Sequence, residues 1–134
     1  MSRSLVISSK KEMNERISEI EYNGREILIL DYSNLRNSSE IVNWTKKGLW
    51  HIHSAHRKDL RILVDITNSY FHGDGYRALR DFSTESRQHS INDAFIGVNG
   101  IAQRVLLEAI DLWRDTKIHI FDSRKEALEF LTSD

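Results

Sequence analysis

The stretch ISEIEYNGREILILD, residues 17–31, decides the fold. Residues 17–22 alternate apolar and polar side chains, as in a strand with one buried face. Asn23-Gly24 follows, and this dipeptide favours a type I′ turn because both central positions of that turn need positive φ. Residues 25–31 form a second predicted strand, and its run 27–30 is apolar on both faces, which predicts a central strand paired antiparallel with the first.

Beyond this hairpin, helices alternate with strands. We predict strands at 61–66, 93–98 and 116–121, and helices from Ser38 or Ser39 to about 56, at 74–89, from 100, and from Ser123. Parallel strands joined by right-handed helical crossovers are expected from this order. The predicted fold class is α/β, with an antiparallel hairpin, then parallel βα units, about five strands and four helices. Residues 1–14 are an undetermined leader, and residues 15–134 form a single domain.

Apolar residues predict which faces are buried. In the third helix, an inward stripe is expected from Ile101, Val105, Leu106, Ala109, Ile110 and Trp113. Gly48, in the middle of the first helix, predicts close packing on the sheet. The central strands are apolar on both faces, so helices on one side alone would leave the other face uncovered. The leader, a second copy of the chain or an apolar ligand would then cover it.

Composition excludes several classes of function. The 134 residues carry 19 basic and 20 acidic side chains, without the basic excess of nucleic-acid-binding proteins. The absence of cysteine excludes disulfides and thiolate metal sites. The sequence contains no run of about 18 apolar residues, so no transmembrane helix is predicted. We therefore expect a cytoplasmic protein with no integral membrane segment and no nucleic-acid partner.

Three predicted strands end in an aspartate, namely Asp31, Asp65 and Asp122. The carboxyl ends of parallel strands share one edge of a sheet, where ligands of open α/β folds bind. Such carboxylates could bind Mg²⁺ through oxygen ligands and support a metal-dependent enzyme. Aspartate at a strand end also accepts hydrogen bonds from backbone N–H groups, and we favour this structural role.

Other candidate motifs are weaker. Among the histidines near Trp50, only His53 and His56, three residues apart, could share a metal on one helix face, and we favour solvated side chains. The turn 97–100 precedes a helix but lacks both nucleotide-binding fingerprints. We therefore expect no catalytic residue, no cofactor and no metal, and a protein that is not an enzyme.

Four short patterns resemble a known family: YNGREILILDYSNL (22–35), LVDIT (63–67), FIGVNGI (95–101) and IFDSRKEAL (120–128). They are similar to STAS domains, typified by anti-sigma-factor antagonists, and more closely to a bacterial STAS/SEC14-like or SpoIIAA-like branch. The resemblance covers residues 20–132. It implies a SpoIIAA-like sheet and a role in protein recognition.

In signalling members of this family, a serine at the start of the helix after such a strand is phosphorylated. The resemblance places Gly75, or Asp74 after a shift of one residue, at that position. Neither has a hydroxyl, so the resemblance implies a module that lacks the usual phosphoacceptor serine. Asp74 is expected to cap the helix, where it would also add a fixed negative charge.

The leading hypothesis is a non-enzymatic STAS-like protein-interaction or regulatory module. Its binding surface is expected at the bend 67–76 and the adjoining helix, with Thr67, Asn68, His72, Asp74 and Tyr76 as the binding residues. We expect a protein partner, and self-association into a homodimer is left open. The alternative is a carrier or sensor of a small apolar or amphiphilic ligand, suggested by the SEC14-like relatives and the two-sided apolar strands.

Overall fold

The computed structural model describes residues 9–14, 16–114 and 118–133, with side chains described for 16–112 and 118–133. Its elements, in chain order, are β1 (Ser9–Asn14), β2 (Ile17–Tyr22), β3 (Arg25–Asp31), α1 (Ser38–Ser54), β4 (Leu60–Asp65), α2 (Gly73–Ser86), a 3₁₀ turn (Arg87–His89), β5 (Ser90–Ile96), α3 (Gly100–Arg114), β6 (Ile120–Phe121) and α4 (Arg124–Thr132). The six strands form one sheet in the order in which they follow along the chain. Within the described ranges, no helix has both the length and the apolar character needed to cross a bilayer.

The sheet is mixed, as the sequence predicts. β1, β2 and β3 pair antiparallel, and β3, β4, β5 and β6 pair parallel. The β2–β3 turn has positive φ at both Asn23 (52°) and Gly24 (77°), which confirms the predicted hairpin. The α/β class with four helices is thus confirmed.

The ends of the sheet differ from the prediction. Residues 9–14, assigned to a leader, form the edge strand β1, which the polar stretch SKKEMN does not reveal by alternation. β5 begins three residues earlier than predicted and ends at Ile96. At the other edge, β6 comprises only Ile120–Phe121, although a strand was predicted from 116; residues 116 and 117 lie outside the described part.

Two hydrophobic cores lie on opposite faces of the sheet. One contains buried residues of α1, α2 and α3, including Ile52, Phe82 and Ile110. The second joins strand residues such as Ile27 and Leu63 to α4, which contributes Ala127, Leu128 and Leu131. Within the described residues, the second face is therefore covered by α4, a cover that the sequence analysis did not consider.

Local contacts fix the helix ends and the helix–sheet distance. Asn37, and not Ser38 or Ser39, caps α1: its Oδ1 accepts from the N–H groups of Ser39 and Glu40 at 2.9 and 3.1 Å. Ser123 caps α4 as predicted, accepting from the Glu126 N–H. Gly48 confirms the predicted close packing, because a Cβ there would lie 2.7 Å from Leu30 Cδ2.

The predicted inward stripe of α3 is wrong at three of its positions. Ile101 and Val105 are 82% and 56% exposed, and Ala109 is also exposed. Ile110 is buried and Leu106 partly so, but the second fully buried residue is Leu107. The side chain of Trp113 lies outside the described part. α3 therefore packs through a face rotated away from the predicted one.

Candidate recognition site

The carboxyl ends of β3, β4 and β5 meet at one edge of the sheet. There Asp31 Oδ1 accepts from the Ser33 N–H at 2.8 Å, and Asp65 Oδ1 accepts from the Thr67 N–H and hydroxyl at 2.9 and 2.6 Å. Both carboxylates thus satisfy the turn that follows their own strand. This is the structural role favoured from the sequence, and Asp122 is exposed at the start of the loop before α4.

The loop after β4 is held against the loop after β5 by a close backbone contact. Gly97 has φ +82°, and a Cβ there would lie 2.2 Å from Thr67 Oγ1 and 2.5 Å from Thr67 N. Only glycine allows this approach. Asn68 follows with φ 53°, and its Nδ2 donates to Asn34 Oδ1 at 2.8 Å. Three strand-end loops are thereby fixed relative to one another.

Gln103 anchors the same loop from the first turns of α3. Its Nε2 donates to the carbonyl oxygens of Ile66 and Ser69 at 3.0 and 3.2 Å, while its Oε1 accepts from the Asn99 N–H. Sequence reasoning missed Gln103. A polar side chain close to a predicted apolar stripe was the signal that could have revealed it.

A pocket of about 250 Å³ opens beside this loop. Arg36 donates to the Asn68 carbonyl oxygen at 3.3 Å, and its guanidinium carbon lies 5.6 Å from the centre of the Tyr70 ring. Tyr70 is half exposed, and Leu106 and Gln103 of α3 form the opposite wall. Arg36 and Tyr70 were also missed, although an aromatic residue in a polar bend was a visible signal.

Tyr32 supports the loop from below. Its ring meets Phe71 edge to face at 5.7 Å, and its hydroxyl lies 2.7 Å from Thr45 Oγ1. Since the Thr45 hydroxyl donates to the Ile41 carbonyl oxygen, the Tyr32 hydroxyl is the donor to Thr45. Burial raises the pKa of the Tyr32 hydroxyl, which therefore stays neutral and acts in packing.

Two of the predicted binding residues, His72 and Asp74, lie beside the start of α1. His72 stacks on Tyr70 with ring centres 4.5 Å apart, and its carbonyl oxygen accepts from the Ser38 hydroxyl at 2.8 Å. Asp74 borders an open depression of about 460 Å³ at the start of α1 and pairs with Arg77. Asp74 is not the predicted cap: the N-cap position of α2 belongs to His72, which makes no side-chain capping bond.

The five predicted binding residues are thus divided between two places. Thr67 and Asn68 lie in the loop that meets Gly97 and Asn34, whereas Asp74 faces the start of α1. His72 contacts both places, through Tyr70 and Ser38. Tyr76 is only partly exposed and packs against the first core. Of the five, it is the least accessible to a partner.

Three exposed apolar side chains share one face of α3 beside the pocket, with the exposed Glu108 on the same face between the second and the third. At 100° per residue, Ile101, Val105 and Leu112 lie within about 40° of one another around the helix axis. They are 82%, 56% and 86% exposed. Ala102, which lines the pocket, is adjacent on the helix surface, so the apolar face continues towards Tyr70.

Ser69 and Ser83, the serines of the loop after β4 and of α2, are inaccessible in the folded chain. Ser69 is 6% exposed and its hydroxyl donates to the Ile66 carbonyl oxygen at 2.7 Å. Ser83 is 1% exposed in α2. Neither hydroxyl can enter a kinase active site without local unfolding.

Potential metal ligands converge near the amino ends of β4 and β5, opposite the carboxyl ends that carry the loops described above. Among the described residues, one group of three, His53, Glu85 and His89, places its ligand atoms within 4.8 Å of one another. It contains none of the three strand-end aspartates, and His53 is joined by His89 rather than by His56.

The fold is that of an α/β protein with a mixed sheet, and loops at the carboxyl ends of its parallel strands form the candidate recognition surface. No protein-family model, curated protein or solved structure matches the chain.

Proposed function

We propose that this protein is a non-enzymatic, STAS-like protein-recognition module that lacks the phosphoacceptor serine. Its binding surface consists of the loop 67–72 and the exposed face of α3. The observation that carries the proposal is the exposure of Ile101, Val105 and Leu112 on one helix face. Large exposed apolar side chains grouped on one face, here beside the single exposed carboxylate of Glu108, are typical of protein-binding surfaces.

The chemistry of the surface favours a protein partner with its own apolar patch. Tyr70 and Arg36, at the edge of the pocket, are residue types enriched at protein interfaces. The loop is already ordered by Gln103 and by the Gly97–Thr67 contact, so binding would require little ordering of the backbone. An apolar-ligand carrier has less support, because α4 covers the sheet face that suggested it.

Site-specific photo-crosslinking in the native cell tests the proposal. A photo-reactive amino acid at Val105 is expected to capture a different protein, and the same amino acid at Lys125, exposed on α4, is the matched control. The crosslink at Val105 should fall at least tenfold when Leu112→Asp is added. Equal capture from both positions, or capture of the same chain alone, would contradict a heterologous partner.

A further inference from the structure

We propose that His53, Glu85 and His89 form a binding site for a divalent transition-metal ion, with Zn²⁺ as the best-suited ion. His53 lies in the last turns of α1, Glu85 near the end of α2, and His89 in the 3₁₀ turn before β5. Their ligand atoms all lie within 4.8 Å of one another. The site does not depend on the proposed recognition function, because it lies near the amino ends of β4 and β5 and the recognition surface lies at their carboxyl ends.

The donor set matches the coordination chemistry of zinc. Two imidazoles and one carboxylate are a known three-ligand set for Zn²⁺, with water in the fourth position. With metal–ligand bonds of about 2.1 Å, tetrahedral ligand atoms lie about 3.4 Å apart. His53 Nε2 and Glu85 Oε2 are 2.9 Å apart, which is about 0.5 Å shorter than that spacing. Ligand atoms up to 4.8 Å apart need to move by about 1.4 Å, within reach of side-chain rotation.

His89 is what distinguishes this group from an ordinary ion pair. Its ring centre lies 5.1 Å from that of His53, and its Nδ1 is 3.3 Å from the Arg57 carbonyl oxygen. With Nδ1–H as the donor, Nε2 keeps the lone pair that a metal requires. A backbone carbonyl that fixes the tautomer in this way is the usual outer partner of a metal-bound histidine.

Accessibility also suits metal binding. The side chains of His53 and Glu85 are 50% and 41% exposed, so an ion can enter and a water can complete the coordination. Exposed ion pairs contribute little to stability by themselves. A bound ion would connect the end of α1 with the end of α2 and the 3₁₀ turn that follows it, since Glu85 lies 32 residues after His53.

Titration of the untagged, full-length protein with ZnCl₂ tests the site. Calorimetry at neutral pH is expected to show one equivalent bound, and Co²⁺ should give the visible absorption of a four-coordinate ion with nitrogen and oxygen ligands. His53→Gln and His89→Gln should each weaken the affinity at least tenfold. His56→Gln is the matched control, because His56 is exposed, three residues from His53, and outside the group.

A folding readout makes the outcome unambiguous. Zn²⁺ is expected to raise the melting temperature of the parent protein and of His56→Gln, and to leave that of the double variant His53→Gln/His89→Gln unchanged, because an ion bound only by the folded state stabilises it. Circular dichroism without metal verifies that each variant is folded. The proposal is overturned if no stoichiometric binding is seen, or if His56→Gln weakens binding as much as His53→Gln does.

Discussion

The Cα of Gly97 lies so close to Thr67 that an added Cβ would come within 2.2 Å of its Oγ1. The same Thr67 is held from its own strand by Asp65, whose Oδ1 accepts both its N–H and its hydroxyl. Thr67 therefore cannot move away without loss of the Asp65 turn. This contact fixes the position of the loop 67–72 relative to the ends of β4 and β5.

Gly97→Ala is expected to destabilise the protein by more than the conformational term alone. A positive φ of +82° costs a non-glycine residue about 1–3 kcal/mol, and the clash with Thr67 adds to that. Gly100→Ala is the matched control, since Gly100 has φ +83° and no atom within 4 Å of the added Cβ. Urea unfolding of both variants measures the difference, and equal losses would show that the loops separate freely.

Gln103 is predicted to order the loop through its two donor bonds. Gln103→Ala removes the donor to the Ser69 carbonyl oxygen and one of the donors to that of Ile66, which keeps the N–H and hydroxyl of Ser69; each lost bond should cost about 0.5–1.5 kcal/mol. Hydrogen exchange should become faster at the loop amides of 67–70, while the amides of β2 remain unchanged. Uniform acceleration throughout the chain would instead indicate global unfolding.

Gln103→Glu tests whether the side chain at this position must donate to the two carbonyl oxygens. The carboxylate can still accept from the Asn99 N–H but faces two carbonyl oxygens, so its folded-state pKa is expected above the unfolded value of about 4.3. The destabilisation is then present at neutral pH and is relieved as the pH falls through the raised pKa. Urea unfolding of this variant and the parent at pH 7 and pH 4 checks the prediction: the gap between them should narrow at pH 4.

The hairpin and the parallel strands could be predicted because their signals are local. Asn23-Gly24 requires the positive φ values that the turn adopts, and residues 27–30 are apolar on both faces because both faces are covered. Identifying what covers the second face required the tertiary structure. α4 has a predictable cap at Ser123, but nothing in its own sequence states on which side of the sheet it packs.

The third helix shows the limit of periodicity. Apolar residues occupy two separate faces of α3: Ile101, Val105 and Leu112 on one, and Leu107 and Ile110 on the other. Hydrophobicity alone cannot decide which face the sheet buries. The buried side also carries Gln103, whose partners are backbone carbonyls of a distant loop and are invisible to any sequence pattern.

The candidate sites depend on the same long-range placement. His53 was paired with His56 because a helix places residues three apart on one face. The fold instead brings in Glu85 and His89 from the next helix and turn. In the same way, Arg36 and Asn68 are brought together from the ends of two neighbouring strands.

Tyr32→Phe is expected to cost about 0.5–1.5 kcal/mol at neutral pH, because it removes one buried hydrogen bond to Thr45. At alkaline pH the difference in stability between the parent and Tyr32→Phe should become smaller. Burial raises the pKa of Tyr32 in the folded state, so above the unfolded pKa of about 10 the unfolded chain loses a proton that the folded chain keeps. Stability of the parent protein then falls as the pH rises, and Tyr32→Phe lacks this contribution.

Unfolding of the parent and Tyr32→Phe at pH 8 and pH 11 measures the effect. Tyr70→Phe is the matched control, because Tyr70 is half exposed and makes the same change in chemistry outside the core. The gap between the parent and Tyr32→Phe should narrow at pH 11, while Tyr70→Phe follows the parent at both values. A constant gap for Tyr32→Phe would show that this hydroxyl is not desolvated.

Leu131→Ala tests whether α4 is the cover of the second sheet face. Leu131 is fully buried in the core that includes Ile27 and Leu63, so its truncation leaves a cavity and should cost about 2–5 kcal/mol. Leu112→Ala removes the same atoms from a side chain that is 86% exposed, and it should change the stability by less than about 0.5 kcal/mol. Thermal and urea unfolding of the two variants gives the comparison. If Leu131→Ala were as mild as Leu112→Ala, α4 would not be packed on the sheet, and the second face would need another cover.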